Sequence, residues 1–481
     1  MSATRLVWLA TALYALVYAL LGWDRYATYH AGSDLGLFTQ STAAAFAGLS
    51  NTTEGGSHFT YHFSPILYLC APFVLAARSP LALVVLQAIA GALVAPPLFL
   101  LARKRMPERL ALGVALVALL YPPLAGITFA DFHENGFVPA VTVWLAWALA
   151  ARRFTLAAIF VALALGIKED QSTILGFGAI ALFVWYLRRR DRAGMVFAAG
   201  TLAASVLVFV GFFEVIRPLA GARDVWGPTH FYTWSRIVDP RGSAPWYSIG
   251  RPAYALEALV PLLFLPLASP AIVFALPGFA EVLASHESIT YTMGQHYAAV
   301  WIGYVLVAFA FALGRIAASA PRAARRLVRG ATVVCVLVLA FASPTHWGHY
   351  LRLRNAHDAV LDRALASLGP NTNVGSFEEV YAHLGFDPKA ELGLERKPRF
   401  ALLDTTFAHS TLEERWRPIV RAGLRTGAYR LVWSHDGIEY YERTGGAAGV
   451  PAKTASDGRG NRAARAGAGD REVVARGRRD E

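Results

Sequence analysis

Charge is scarce in this chain. Asp, Glu, Lys and Arg together supply 16% of its 481 residues, against 55% hydrophobic residues. Soluble domains carry about 25% charged residues, so this shortage excludes an ordinary soluble enzyme and points to a chain that crosses a membrane several times. Cysteine is nearly missing: Cys70 and Cys335, both inside apolar runs, are all there are. That excludes a disulfide framework and reads both as small packing hydrophobes. Repeats at solenoid spacing are missing too. Acids are missing near the middle of the apolar runs, and no internal repeat is evident, which weighs against a pump or channel. A cleavable signal peptide is not evident either. Met1–Trp23, with an early Arg5 and a long apolar stretch, reads as a retained signal-anchor helix.

What is present is arginine in short groups. The net charge of +12 does not form a nucleic-acid patch, because the groups fall between apolar runs as they do in cytoplasmic loops. A crossing helix needs about 20 apolar residues. That rule places spans near 5–23, 81–102, 110–127, 136–151, 154–167, 171–187, 194–216, 253–268, 270–285, 297–315 and 330–344, an α-helical polytopic membrane protein with about 11 crossings. With the N-terminus in the cytoplasm, the basic turns at 103–109, 151–153, 187–192 and 314–329 all lie inside. The long, acid- and aromatic-rich loops at 24–80, 128–135, 168–170, 217–252 and 286–296 then lie outside, as does the C-terminal region. Residues 35–48 and 64–77 are apolar but short, and read as helices lying at the outer interface. Were 66–77 a crossing, everything after it would invert.

From about 350 the composition becomes that of a soluble α/β domain. The segments "HDAVLDRALASLG", "EEVYAHLG" and "STLEERWRPIVRAGLRTG" read as helices, and "NTNVGSF" and "PRFALLDTT" as strands. "YRLVWSHDGIEYYER" reads as a hairpin turning at Asp436-Gly437. The expected organisation is a transmembrane helical region over 1–345, an extracytoplasmic α/β domain over 346–445, and a disordered basic tail over 446–481.

Ionisable residues near membrane depth are costly and are read first as functional. "HAGSDLGLFTQ" sets Asp34 just beyond the first span, either as a cap on the interfacial helix or as a general base for a hydroxyl. "HFTYHFSP" spaces His58 and His62 four apart, which suits one helix face and a metal, or hydrogen bonds to a substrate. "DFHENG" crowds Asp131, His133 and Glu134 into one short loop, where a solvated turn is the plainer alternative. "IKEDQ" holds Lys168, the one lysine between Lys104 and Lys389, beside Glu169 and Asp170. It reads as a phosphate-oxygen ligand or as a self-neutralised loop. "GQHYAAV" opens the tenth span with Gln295, His296 and Tyr297, as ligand contacts or as an interfacial anchor. All five lie on the outer side, which is the pattern of one outward-facing cavity. Trp226, His230 and Trp234 are candidates for its rim.

"GSDLGLFTQ", "HFSPILYLCAPF", "YPPLAGITFADFHENGF", "GIKEDQS" and "QHYAAV", in this order, resemble the bacterial and archaeal membrane-protein family known as domain of unknown function 2079, from about residue 10 to 440. That family in turn resembles the GT-C glycosyltransferase superfamily. The resemblance implies an extracytoplasmic active site, a polyprenyl-phosphate-linked sugar as donor, and a catalytic acid in the first outer loop, where Asp34 matches. Asp131, His133, Glu134, Lys168 and Glu169 match further polar positions without assigned roles. Ser33 before Asp34 and Leu35 after it depart from the superfamily's commonest pair of adjacent acids, so no cofactor is certain and a divalent metal stays open.

The expectation is therefore a transferase in the plasma membrane that moves a sugar from a lipid-phosphate carrier to an acceptor outside the cytoplasm. Asp34 would be its base, and Lys168, with His133 or an arginine of the 217–252 loop, would steady the leaving phosphate. The alternatives are a non-catalytic transporter or lipid-binding protein for lipid-linked or anionic solutes, and a metal-dependent hydrolase built on His58, His62, Asp131 and His133.

Overall fold

The first helix shows how the chain treats its surroundings. α1 (Ala3–Ala27) buries Val7, Thr11, Tyr14 and Tyr18, a spacing that draws one stripe along a helix. Its other faces expose Trp8, Leu9, Leu13, Leu16, Leu20 and Trp23. The outside is thus more apolar than the inside, as a lipid-facing helix requires. At 1.5 Å per residue its 25 residues outreach a hydrocarbon core of about 30 Å.

The structure is a computed structural model that describes residues 1–222, 249–285, 287–406, 418, 422–423 and 426–444. Among them, Ala3–Ala27, Leu81–Ala102, Asp170–Arg188, Arg192–Leu219 and His296–Ser319 are long and apolar enough to cross a membrane. A sixth candidate is the pair α6 (Glu108–Leu119) and α7 (Pro122–Phe129), bent by 46° where Pro122 and Pro123 interrupt the ladder. The expected crossings at 136–151 and 154–167 are α8 (Val138–Ala150) and α9 (Phe154–Leu165), of 13 and 12 residues, shorter than a full crossing.

The stretch read as crossings at 253–268 and 270–285 is not two continuous helices. A helix over Gly250–Leu259 gives way to 3₁₀ turns at Val260–Leu262, Leu265–Ala268 and Pro270–Ala275, then a helix over Leu276–Ala284. Pro261, Pro266 and Pro270 cannot donate to a helical ladder, and Leu263 and Phe264 turn left-handed at φ 54° and 56°. The expected span at 330–344 overlaps a 21-residue helix, Pro321–Phe341, which starts nine residues earlier and ends at Phe341. The helix Ala299–Ser319 forms the centre of the helical region, with Trp301, Ile302, Val305, Phe309 and Leu313 fully buried.

The C-terminal region carries a five-stranded sheet in the order Glu391–Leu392, Val374–Ser376, Phe400–Asp404, Ile438–Arg443, Tyr429–His435. Its first three strands are parallel and the last two antiparallel. The hairpin turns at Asp436 and Gly437, both at positive φ (52° and 78°), as a two-residue turn of that twist requires. The expected helix "HDAVLDRALASLG" runs over Ala356–Ser367 and starts with a capping box between Asn355 and Asp358. Most of "STLEERWRPIVRAGLRTG" and all of 446–481 lie outside the described residues.

The sheet region sits on the segment that follows α1, and one side chain explains much of the fit. Gln40 belongs to α2 (Ser33–Ala43) and is 3% exposed. Its amide nitrogen donates to Asp387 O at 2.7 Å, while its oxygen accepts from Thr52 N at 2.7 Å and Tyr381 Oη at 3.1 Å. Gly36 lets α2 approach closely, since a Cβ there would lie 2.6 Å from the Tyr381 ring. His383 is sandwiched between Tyr26 and Tyr29, ring centroids 4.0 and 4.1 Å away. Cys70 and Cys335 are both buried and free.

Candidate functional site

Several helix ends converge on one side of the helical region, and Arg25, at the end of α1, ties them together. Its guanidinium meets Asp131 Oδ1 at 3.0 Å and donates to His30 O at 2.7 Å and Phe129 O at 3.0 Å. It also lies 4.3 Å from the Tyr350 ring centroid. The backbone enters α2 through Gly32, where a Cβ would fall 2.1 Å from Asp131 Oδ2. Only glycine lets the chain pass the Arg25–Asp131 pair this closely.

Asp34 follows in the first turn of α2. The cap position is Gly32, and no side chain bonds the free N–H groups there, so Asp34 is not the cap that its neighbours in sequence allowed. Among the described residues, no donor meets its carboxylate. The side chain lies half-buried on the wall of a 340 Å³ cavity, together with Arg25, His30, Asp131, Gln295, His296 and Glu378. Burial raises the Asp34 pKa to about 7, helped by the charges of Asp131, Glu378 and Glu134 and opposed by Lys168. Glu378 reaches the cavity from the helical turn Glu378–Tyr381 of the sheet region. It too is raised to about 7, by burial and then by Glu379 and Asp131. Glu378→Gln should therefore lower the Asp34 titration midpoint. An infrared carboxyl titration of that variant against Asp34→Asn reads the shift, and an unmoved midpoint would uncouple the two acids.

Behind the cavity lies a more deeply buried group. Glu134 is fully buried; its Oε1 accepts from Ser64 Oγ at 3.3 Å and faces Lys168 Nζ at 3.8 Å. Burial works against the Lys168 charge, but Glu134, Glu169 and Asp170 outweigh it and hold the ammonium above its ordinary value. Glu169 accepts from His62 Nδ1 and from Phe63 N, both at 2.8 Å. Against the pull of burial, His62, Lys168 and that N–H hold its carboxyl down to about 2. His133 stacks on His296 with centroids 3.5 Å apart and planes 9° from parallel. Burial, then His296 and Lys168, push the His133 pKa well below its usual range and keep that ring neutral. Tyr297 packs against His296, centroids 4.0 Å apart.

All eleven sequence candidates thus gather at one end of the helices, in two layers. Asp34, Asp131, Gln295 and His296 line the open cavity, while His58, His62, His133, Glu134, Lys168, Glu169 and Tyr297, which packs on His296, lie behind it. The metal reading of the histidines does not fit. His58 sits in a 3₁₀ turn (His58–Thr60) with Nδ1 on both oxygens of Glu54 at 3.0 and 2.9 Å, and His62 is on Glu169. Asp131 is held by Arg25, and the described residues contain no group of three or more His, Cys, Asp or Glu able to hold a metal. Trp226, His230 and Trp234 lie outside the described residues.

Several residues were not foreseen. Gln87 (α4, Leu81–Ala92) donates to Ala130 O at 2.8 Å and accepts from His133 N at 2.9 Å, which holds the 130–133 loop. Its signal was visible, as the one polar side chain in "LALVVLQAIAGA". Gly294, at φ 99°, packs so closely that a Cβ would lie 2.3 Å from Pro344 O. Arg25 had the signal of a charge at the end of a span. Glu378 and Glu379 had none, because only tertiary docking brings them here.

The family described as "Predicted membrane protein (DUF2079)" matches residues 25–355. No curated protein matches. Among solved structures, the fold is similar to ArnT from Cupriavidus metallidurans bound to undecaprenyl phosphate, with TM-score 0.59 and 14% identity, covering 91% of this chain and 99% of that one. ArnT in the apo state gives TM-score 0.56 at 12% identity, covering 89% and 97%. The archaeal oligosaccharyltransferase AglB from Archaeoglobus fulgidus, in complex with an inhibitory peptide and a dolichol-phosphate, gives TM-score 0.40 at 12% identity, covering 90% and 74%.

Proposed function

We propose that this chain, which belongs to the DUF2079 family of membrane proteins, is a GT-C-type glycosyltransferase. It moves a sugar from a polyprenyl-phosphate carrier to an acceptor hydroxyl outside the cytoplasm. The observation that carries the reading is Asp34: a carboxylate with no hydrogen-bond donor among the described residues, at the wall of a 340 Å³ cavity, with a pKa of about 7. That is the range in which a general base works best near neutral pH. Support also comes from the fold shared with ArnT, whose structure holds undecaprenyl phosphate.

In the proposed step Asp34 takes the proton of the acceptor hydroxyl as its oxygen attacks the anomeric carbon. The new C–O bond forms opposite the breaking bond to phosphate, so the configuration inverts. The lipid leaves as its phosphate, with Lys168 as the nearby cation that meets the growing negative charge. Arg25 and Gln87 act earlier, by holding the loops on either side of Asp34. In this proposal the helical region over 1–345 lies in the plasma membrane, with the N-terminus cytoplasmic and the sheet region outside.

Native mass spectrometry of the full chain in nanodiscs tests the donor class, with undecaprenyl phosphate as probe. Retention of undecaprenyl phosphate over a phospholipid of equal charge is expected. No preference between the two would remove the lipid-phosphate donor, and movement of the lipid across a bilayer without chemical change would favour a transporter.

A further inference from the structure

The helix Pro321–Phe341 carries two stripes on opposite faces. Ala324, Val328, Ala331 and Cys335 are buried and face α6, where a Cβ at Gly113 would lie 2.7 Å from Val328 Cγ1. The other stripe changes character along its length. It begins with Arg322, Arg325, Arg326 and Arg329, all exposed, at the three- and four-residue spacing that keeps side chains on one helix face. It continues on that face as Val333, Val336 and Leu337, which are 56%, 45% and 49% exposed. In a membrane protein an exposed apolar stripe meets lipid tails, so its basic continuation meets the headgroups above them. Arg322 to Arg329 covers about 10 Å of helix, enough to cross a headgroup layer roughly 5–8 Å deep.

The fold adds charge from a distant part of the chain. A Cβ at Gly314 would lie 2.9 Å from Arg105 Cβ, and the Arg105 guanidinium lies 4.2 Å from the Phe311 ring centroid. The basic turns 103–109 and 314–329 therefore meet at one end of the helices, and Glu108 is the single acid in the two segments. Among the described residues, the guanidiniums of Arg322, Arg325, Arg326 and Arg329 make no hydrogen bond or ion pair. An open groove of 800 Å³ runs beside them, lined by Ala320, Pro321, Arg322, Ala323, Arg326 and Leu327. Its small side chains leave room, and Arg322 and Arg326, one turn apart, can donate to the oxygens of one phosphate from two sides. A zwitterionic headgroup would bring its own ammonium among these unneutralised arginines. An anionic one brings only the missing charge.

We propose that this face binds an anionic phospholipid, with its phosphate between Arg322 and Arg326 and its acyl chains along Val333, Val336 and Leu337. The site lies at the far end of the helix Ala299–Ser319 from the Asp34 cavity, roughly 30 Å away, and it does not depend on the transferase reading. In the topology proposed above it belongs to the cytoplasmic leaflet.

Native mass spectrometry of the full chain in detergent tests this, with phosphatidylglycerol and phosphatidylcholine of the same acyl chains as probes. The chain should hold phosphatidylglycerol roughly 10-fold or more tighter, since each arginine near an anionic surface is worth about fivefold. Arg322→Gln/Arg326→Gln should abolish most of that preference, while Arg322→Lys/Arg326→Lys, which keeps the charge, should hold most of it. Arg325→Gln/Arg329→Gln repeats the measurement on the same stripe should the first pair fail to fold. Arg189→Gln/Arg190→Gln removes equal charge from another basic turn and should leave the preference intact. An equal loss in that control would mean that any arginine at headgroup depth serves, and it overturns the site. Equal binding of the two lipids by the wild type does so too. Displacement of phosphatidylglycerol by an equimolar amount of glycerol 3-phosphate would assign the face to a soluble phosphate instead and overturn the lipid.

Discussion

Asp34→Asn should lower the rate of sugar transfer by about 10²–10⁴, the usual contribution of a positioned general base, and should leave the fold more stable at neutral pH. The two effects share a cause. The carboxylate lies in a buried setting where Asp131, Glu378 and Glu134 repel it and no donor compensates, so ionising it works against the folded state. The folded pKa of about 7 lies above the unfolded value near 3.9. Between these two values the folded chain binds more protons than the unfolded one, and stability falls as pH rises through that window. Removing the acid should therefore stabilise the protein most above pH 7, with the gain shrinking toward pH 4. Thermal midpoints of wild type and Asp34→Asn at pH 5 and pH 8 read this without any substrate. A helix-capping carboxylate would give the opposite sign, with Asn equal or worse at every pH. Donor binding should persist in the variant, which separates lost chemistry from a lost site.

The sequence carried the local part of this site and not the tertiary part. Asp34, Glu134 and Lys168 were legible because a charge beside an apolar run is expensive and therefore conspicuous. The long apolar helices were legible for the same reason, from α1 to Ala299–Ser319. The spacing of His58 and His62 does bring the two rings together, with centroids 5.7 Å apart, but each ring goes to a different acid, Glu54 or Glu169. The apolar content of 253–285 suggested two crossings, while its prolines broke the ladder into short turns. Glu378 was beyond reach. Nothing in "EEVYAHLG" says that its first turn will face an acid 344 positions earlier, because that meeting depends on how a separate sheet rests on α2.

That resting place supplies the second large effect. Gln40→Leu should release the sheet region from α2. Leucine is close to glutamine in size, so the space stays filled and what is lost is polar. The Thr52 N–H, the Tyr381 hydroxyl and the Asp387 carbonyl would each lose the partner they have in Gln40. Stranded buried groups cost roughly 1–3 kcal/mol apiece, so the three together come to roughly 3–9 kcal/mol of local stability. About 3 kcal/mol corresponds to roughly a 100-fold faster amide exchange in a segment that opens on its own. The acceleration is expected over residues 378–392, with the core of Ala299–Ser319 unchanged. Gly36→Ala gives an independent route to the same result, because its Cβ would press on the Tyr381 ring and on Tyr381 O. Release of Glu378 from the cavity would also remove one of the charges that raise Asp34 and let water reach it. The Asp34 titration should then move toward the ordinary carboxylate range in both variants. Unchanged exchange over 378–392 in both would mean that the sheet region is held by other contacts. A changed exchange with an unmoved Asp34 would mean that helical-region groups alone tune the base.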